Sequence, residues 1–161
     1  MKQDLELLSV SPVLEPKLVE LFRVFTAADE RTYFDPHPFT PEQAHTIAHD
    51  EGRDFYSLAL YEGHAVGYGF LRGWDEGFDI PSLGLSIHPD YRAAGLGLLL
   101  MRYLQSVATL RGCETMRLRV HKDNQRATAL YEKLGYEFQE DSNDFLLGFL
   151  TLKQFQRTDT T

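Results

Sequence analysis

The sequence predicts an α/β fold, a mixed β-sheet of about seven strands with about four helices packed on its faces. Three observations carry this. Segments of alternating apolar residues give way repeatedly to segments with apolar residues at helical spacing. The connections between them are short and marked by Gly, Pro, Asp and Asn. At 161 residues, 43% hydrophobic and 25% charged, the chain suits one globular domain with a sizeable core. Residues 1–155 are expected to form that domain, and 156–161 a polar, frayed tail.

Leu5 to Val10 alternates weakly and reads as a first strand. Ser11-Pro12 opens a helix whose Leu14, Leu18, Leu21, Phe22 and Phe25 form one buried face. Asp29 to Phe39 has two prolines and no period, and reads as a loop. Thr40-Pro41-Glu42-Gln43 resembles a capping box, with Thr40 at the N-cap, and starts a short helix ending near Asp50 and Gly52. Phe55 to Tyr61, the turn Glu62-Gly63-His64 and Ala65 to Trp74 make a hairpin. An acidic loop, Asp75-Glu76-Gly77-Phe78-Asp79, leads into a strand carrying Leu83, Leu85 and Ile87. Pro89, which has no N–H for a ladder, ends that strand.

A long apolar helix follows from Leu96 to Leu110 and stops at Gly112. Thr115 to Val120 places Met116, Leu118 and Val120 on one face, as a half-buried strand does. Asn124 to Leu134 is an amphipathic helix closed by Gly135. Tyr136–Phe138 and Phe145–Leu152 are the last strands, joined by the polar turn Glu140–Asp144. The segment 145–152, FLLGFLTL, is apolar on both faces and fits either a central strand or one that meets a second subunit. A homodimer is the expectation drawn from it. The element order is β-α-α-β-β-β-α-β-α-β-β.

No apolar run approaches the ~20 residues of a membrane span, and MKQDLELLSV lacks the apolar region of a secretory signal, so a cytoplasmic protein is expected. Cys113 is alone, which excludes an internal disulfide and suits a small buried apolar residue. The net charge of −8 argues against nucleic acid and mildly favours cationic small molecules. His45 and His49 lie four apart on a helix with no third ligand beside them, so no metal is expected.

The stretch 83–97, LGLSIHPDYRAAGLG, is the organising feature. A strand, a glycine-containing turn and a helix N-terminus aim unpaired N–H groups at one point, with the helix dipole behind them. Such a point binds phosphate. Arg92, Ala93, Ala94, Gly95, Leu96, Gly97 and Leu98 form the candidate cradle, although a purely structural turn has the same pattern. The segment lacks the third glycine of a dinucleotide fingerprint, with Leu100 in its place, and the Gly-Lys-Ser/Thr of a P-loop. Arg92, Arg119, Lys122 and Arg126 supply local positive charge against the global trend, with Arg126 and Lys122 the candidates for nucleotide phosphates.

One strand and one helix downstream stands a second motif, Asn124-x-x-Ala127-x-x-Leu130-Tyr131-x-x-Leu134-Gly135-Tyr136. With both segments present in this order, the chain resembles the GNAT family of N-acetyltransferases. The resemblance implies a splayed central sheet, acetyl-CoA as co-substrate and acetyl transfer to an amine in a ternary complex. It also implies that main-chain groups of Leu85, Ser86 and Ile87 hold the pantetheine arm and polarise the thioester carbonyl. By the same resemblance Asn124 and Ala127 are expected to join the coenzyme site, with Arg126 added for its charge, and Tyr131 is expected to protonate the departing thiolate. On residue chemistry alone Tyr131 is equally a packed aromatic on the apolar helix face.

Many family members carry a Glu base on the strand before the cradle; here that position falls near Pro81, which cannot act as a base. The nearest carboxylates are in the acidic loop, where Glu76 and then Asp79 are the candidates, with a solvated turn as the alternative. Tyr33, Asp35 and His37 lie in a proline-stiffened aromatic loop where the family binds its acceptor, and His37 is a further base candidate. The expected acceptor is a small-molecule amine, an amino sugar among the options. The alternatives are a non-catalytic CoA-binding sensor or regulatory module, and a protein N-terminal or lysine acetyltransferase.

Overall fold

The computed structural model describes residues 4–29, 34–156 and 158. The tail is described only at Gln156 and Thr158, and Tyr33 lies outside the described residues. The elements occur in the expected order. They are β1 (Leu5–Ser9), α1 (Glu15–Ala27), α2 (Pro41–Ala48), β2 (Phe55–Tyr61), β3 (His64–Arg72), β4 (Ser82–Ile87), α3 (Leu96–Leu110), β5 (Thr115–His121), α4 (Gln125–Lys133), β6 (Glu137–Ser142) and β7 (Phe145–Thr151). All seven strands join one mixed sheet in the order β1-β2-β3-β4-β5-β7-β6.

Local chemistry explains most boundaries. Pro12–Leu14 forms a turn of 3₁₀ helix before α1, so the first helix starts later than its proline suggests. Pro16 sits in the first turn of α1, where a missing N–H costs nothing. Thr40 caps α2 by accepting from the Gln43 N–H at 3.1 Å. Glu62 and Gly63 have φ of 52° and 79°, the left-handed pair of a two-residue hairpin turn between β2 and β3.

Two hydrophobic clusters lie on opposite faces of the sheet. On one, Leu18, Leu21, Phe22 and Phe25 of α1 and Ala44 and Ile47 of α2 bury Leu58, Leu60, Tyr68 and Phe70. On the other, Leu100, Met101, Leu104 and Ala108 of α3 meet Leu71, Leu83, Ile87, Met116, Leu118 and Val120. Positions two apart on a strand, such as Leu58 and Leu60 or Met116 and Leu118, therefore share a face, while neighbours such as Phe70 and Leu71 divide between the two, as the pleat requires.

Two expectations at the C-terminal end change. Strand β6 reaches Ser142, through residues expected to form a turn, because among the described residues it pairs with β7 alone and its outer edge tolerates polar side chains. Strand β7 lies between β5 and β6, which makes it an interior strand, the first of the two alternatives its composition left open. Among the described residues no helix is long and apolar enough to cross a membrane.

Candidate active site

The sheet opens between β4 and β5. These strands are parallel, and only Ser82↔Arg117 and Leu83↔Leu118 are in register. Strand β4 continues along β3 to Gly67↔Ile87, whereas β5 follows β7 to His121↔Phe145, so the two halves diverge. Main-chain bonds alternate sides along a strand. The His88 N–H donates to the Val66 carbonyl next to β3, at 2.8 Å, and the Pro81 carbonyl accepts from the Arg117 N–H of β5, at 2.9 Å. Even-numbered residues of β4 thus bond to β3 and odd-numbered ones face β5. Past Leu83 that side has no strand partner, so the N–H and C=O of Leu85 and the N–H of Ile87 face the gap. The Ile87 carbonyl accepts from Arg92 Nε at 3.2 Å.

The far end of the gap is the turn before α3. Gly95 is the N-cap, with φ 84°, and Ala93 has φ 65°, unusual for a residue with a side chain. Helix α3 begins at Leu96, so its first N–H groups have no intrahelical carbonyl and point into the gap. Gly97 supplies an independent test of what fits there. A Cβ built on it meets no atom of the protein within 4 Å, and its φ is ordinary. Glycine in a helix costs about 1 kcal/mol relative to alanine. No atom of the described residues fills that space, which leaves room for a ligand in close contact with the helix start. A CoA pyrophosphate fits this cradle.

Helix α4 forms the opposite wall. Asn124 caps it by accepting from the Ala127 N–H at 3.3 Å, which leaves its amide donors available to the cleft it lines. The helix ends in a Schellman motif, with the Tyr136 N–H on the Tyr131 carbonyl at 3.1 Å, the Gly135 N–H on the Glu132 carbonyl at 3.0 Å and Gly135 at φ 100°. The accompanying apolar contact is Tyr131 against Tyr136, with ring centroids 5.8 Å apart. This motif sets the ring of Tyr131 at the cleft. Burial pushes its hydroxyl up to about 12.

A cleft of about 1460 Å³ connects these parts. It is lined by Leu85, Ser86, Ile87, Arg92, Ala93, Gly95, Leu96, Gly97, Leu98, Asn124, Arg126, Ala127 and Tyr131, almost the whole expected coenzyme set. Ala94 belongs to the turn but does not line it, and Lys122 is turned to Glu140, at 3.4 Å. Asp29 and Asp35 line the cleft from the α1–α2 connection.

Glu76 and Asp79 do not line it; both are exposed in the β3–β4 connection. That loop is tied outward through Asp75, whose carboxylate accepts from the N–H groups of Arg53, at 2.7 Å, and Asp54, at 3.2 Å. His37 is not among the lining residues either. Its Nδ1 lies 2.8 Å from the Pro38 carbonyl and its Nε2 2.8 Å from the Tyr68 hydroxyl, with Phe22, Phe39 and Phe70 around the ring. Burial lowers its pKa, the hydrogen bond from Nδ1 to the Pro38 carbonyl opposes this, and Arg72 lowers it further. A neutral ring that donates from Nδ1 and accepts the Tyr68 O–H at Nε2 has no free lone pair for the cleft.

Arg72, Arg117, Phe70, Ser82 and Phe145 also line the cleft and are absent from the expected set. The alternation that assigns Met116, Leu118 and Val120 to the core also assigns Arg117 and Arg119 to the opposite face, and that signal was in the sequence. Glu15, from the start of α1, joins His45 and His49, with Oε1 at 2.5 Å from His45 Nδ1 and 3.4 Å from His49 Nε2. The third ligating group missing from the sequence pattern is therefore present in space, although none of the three lines the cleft.

The family model of the acetyltransferase (GNAT) family matches residues 18–136, and the chain belongs to this family. It is 36% identical over 87 residues to an acetyltransferase of Sodalis glossinidius, a match spanning 54% of this chain and 60% of that relative. The fold is shared with PaiA N-acetyltransferase from Thermoplasma acidophilum in complex with coenzyme A, with a TM-score of 0.73 at 15% identity, covering 92% of this chain and 99% of the other. It is also shared with the ribosomal-protein-S18-alanine N-acetyltransferase from Escherichia coli, with a TM-score of 0.69 at 17% identity, covering 98% of this chain and 99% of that one.

Proposed function

We propose that the chain is an acetyl-CoA-dependent N-acetyltransferase that transfers acetyl to a primary amine of a small molecule by direct attack within a ternary complex. The observation that carries this is one continuous cleft with an anion cradle at one end, an unpaired strand edge along its side and a tyrosine hydroxyl in its wall. Acetyl-CoA supplies a thioester as the acyl donor. Arg92 to Leu98 and Arg126 would hold its phosphates, and the main-chain groups of Leu85 and Ile87 its pantetheine arm. A main-chain N–H of this edge also donates to the thioester carbonyl, an interaction typically worth ~10²–10³ in rate.

Tyr131 holds the proton that the leaving thiolate takes. Its hydroxyl has no hydrogen-bond acceptor among the described residues, so that proton is free to be donated into the cleft. A thiolate formed in the same apolar surroundings is raised by the same desolvation, so donor and acceptor remain matched. With Glu76 and Asp79 outside the cleft, Asp29 and Asp35 are the carboxylates that line it, and one of them would take the proton of the acceptor ammonium. A cytoplasmic location, consistent with the lone Cys113, remains part of the reading. A protein acceptor is the competing reading, favoured by the ribosomal-protein enzyme of like fold.

The test is release of free thiol from acetyl-CoA with a broad panel of amines. The Tyr131→Phe variant should lose about 10²-fold or more in kcat, with acetyl-CoA affinity within about two-fold of wild type. Binding without turnover on any amine would favour a sensor module. Near-normal kcat in the variant across the pH range would remove Tyr131 as the acid.

A further inference from the structure

The acceptor half of the cleft carries charges that acetyl transfer does not itself require. On the sheet face turned away from α3, Arg72 of β3 is in register with Ser82 of β4, and Ser82 with Arg117 of β5. Neighbouring strands lie about 4.8 Å apart, so two arginines flank one hydroxyl with backbones about 10 Å apart. Arg117 Nε donates to Ser82 Oγ at 2.9 Å. Arg72 lies over the Phe70 ring, its Cζ 4.4 Å from the centroid, and donates to the Pro36 carbonyl at 3.2 Å.

Neither arginine forms an ion pair among the described residues, whereas Arg119 is held by Asp141 at 2.8 Å. Each guanidinium has five donors in a rigid fork that matches a carboxylate or a phosphate. In a chain of net charge −8, two such forks in one cleft, neither in an ion pair among the described residues, run against the overall balance. They do not reach the nucleotide phosphates. At about 3.3 Å per residue, Ser82 lies roughly 16 Å from Ile87, and the cradle lies beyond Ile87.

We propose that the acceptor is an amine that also carries an oxyanion, a carboxylate or a phosphate, and that Arg72 and Arg117 hold this oxyanion beside Ser82. The inference rests on the acetyl-transfer reading above and names its acceptor class. Asp35 lines the cleft next to Pro36, whose carbonyl Arg72 holds, and Phe34 stacks on Phe70 at 6.1 Å, so carboxylate, aromatic surface and guanidinium border one part of the cleft.

The experiment uses matched amines that differ in the oxyanion, phenylalanine against phenethylamine and phosphoethanolamine against ethanolamine. For each, kcat/KM is measured by thiol release, and the dissociation constant is measured on protein saturated with CoA, which needs no turnover. At least one oxyanion-bearing amine should be preferred by roughly 10- to 100-fold in both readouts, and the favoured pair tells carboxylate from phosphate. In a double variant, Arg72→Gln with Arg117→Gln, the ratio should fall towards unity while the CoA dissociation constant stays within about two-fold. Equal constants within both pairs, a preference that survives in the double variant, or no binding of any of the four amines overturns the proposal. Loss of turnover with the binding preference intact counts against acetyl transfer and leaves the oxyanion subsite standing, so the two failures are distinguishable.

Discussion

Tyr131 and His37 show how burial shifts two titratable side chains in opposite directions. Burial of Tyr131 pushes its pKa up to about 12, so the hydroxyl keeps its proton throughout neutral and moderately alkaline pH. His37 is shifted the other way, below its ordinary value, chiefly by burial among aromatic rings. The unfolded chain then binds the His37 proton at a higher pH than the folded one, so stability falls as pH falls below about 6.5 through the folded value. His37→Gln is expected to lose part of the decline in Tm seen in the wild type between about pH 7.5 and about pH 5. Identical declines in the two proteins would show that His37 does not carry this linkage. The residue scale is also where the sequence was least legible. The place of Tyr131 at the cleft was legible because it is set by local helix periodicity and by Gly135 four residues on. The outward position of Glu76 and Asp79 was not, because a loop such as Asp75–Asp79 carries no period that says which way its carboxylates turn, and here the Asp75 contacts draw it outward.

In the proposed function, helix α3 and strand β4 would hold the coenzyme through their ends and edges rather than through side chains. That is why both were readable from Leu83, Leu85, Ile87 and the glycines that follow, whereas Arg117, whose face the alternation gives, is brought into line with Arg72 only by the register across Ser82. Gly84 illustrates the same limit. A Cβ on it would stand 2.2 Å from the Phe70 ring, a cross-strand contact that no local pattern announces. For α3 the account makes a test with opposite signs. Gly97→Ala adds a methyl group where the protein has space, so the helix should gain up to about 1 kcal/mol and Tm should hold or rise. Acetyl-CoA affinity should nevertheless fall by about 10-fold, because the methyl occupies the approach of the pyrophosphate. Calorimetric titration with thermal melts on both proteins checks it. Unchanged affinity would mean that the helix start is not in contact with the coenzyme.

At the scale of the molecule, the sheet is two ladders, β1 to β4 and β5, β7 and β6, joined at only two register pairs. Each half has its own continuous pairing, and α3 bridges them through the cluster that holds Leu83, Ile87, Leu118 and Val120. The order of elements was readable because strand and helix periods differ so plainly. The spatial exchange that places β7 inside β6 was not, because pairing between β5 and β7 joins segments far apart in sequence. A ligand lying in the gap completes the pairing that β4 lacks on its β5 side. The most direct measurement of the central claim is therefore amide hydrogen exchange, resolved by residue, with and without acetyl-CoA. Protection is expected at the N–H groups of Leu85, Ile87, Gly97 and Leu98, with the amides of α1 and α2 unchanged. Binding that leaves those four N–H groups exchanging as in the free protein would contradict the account.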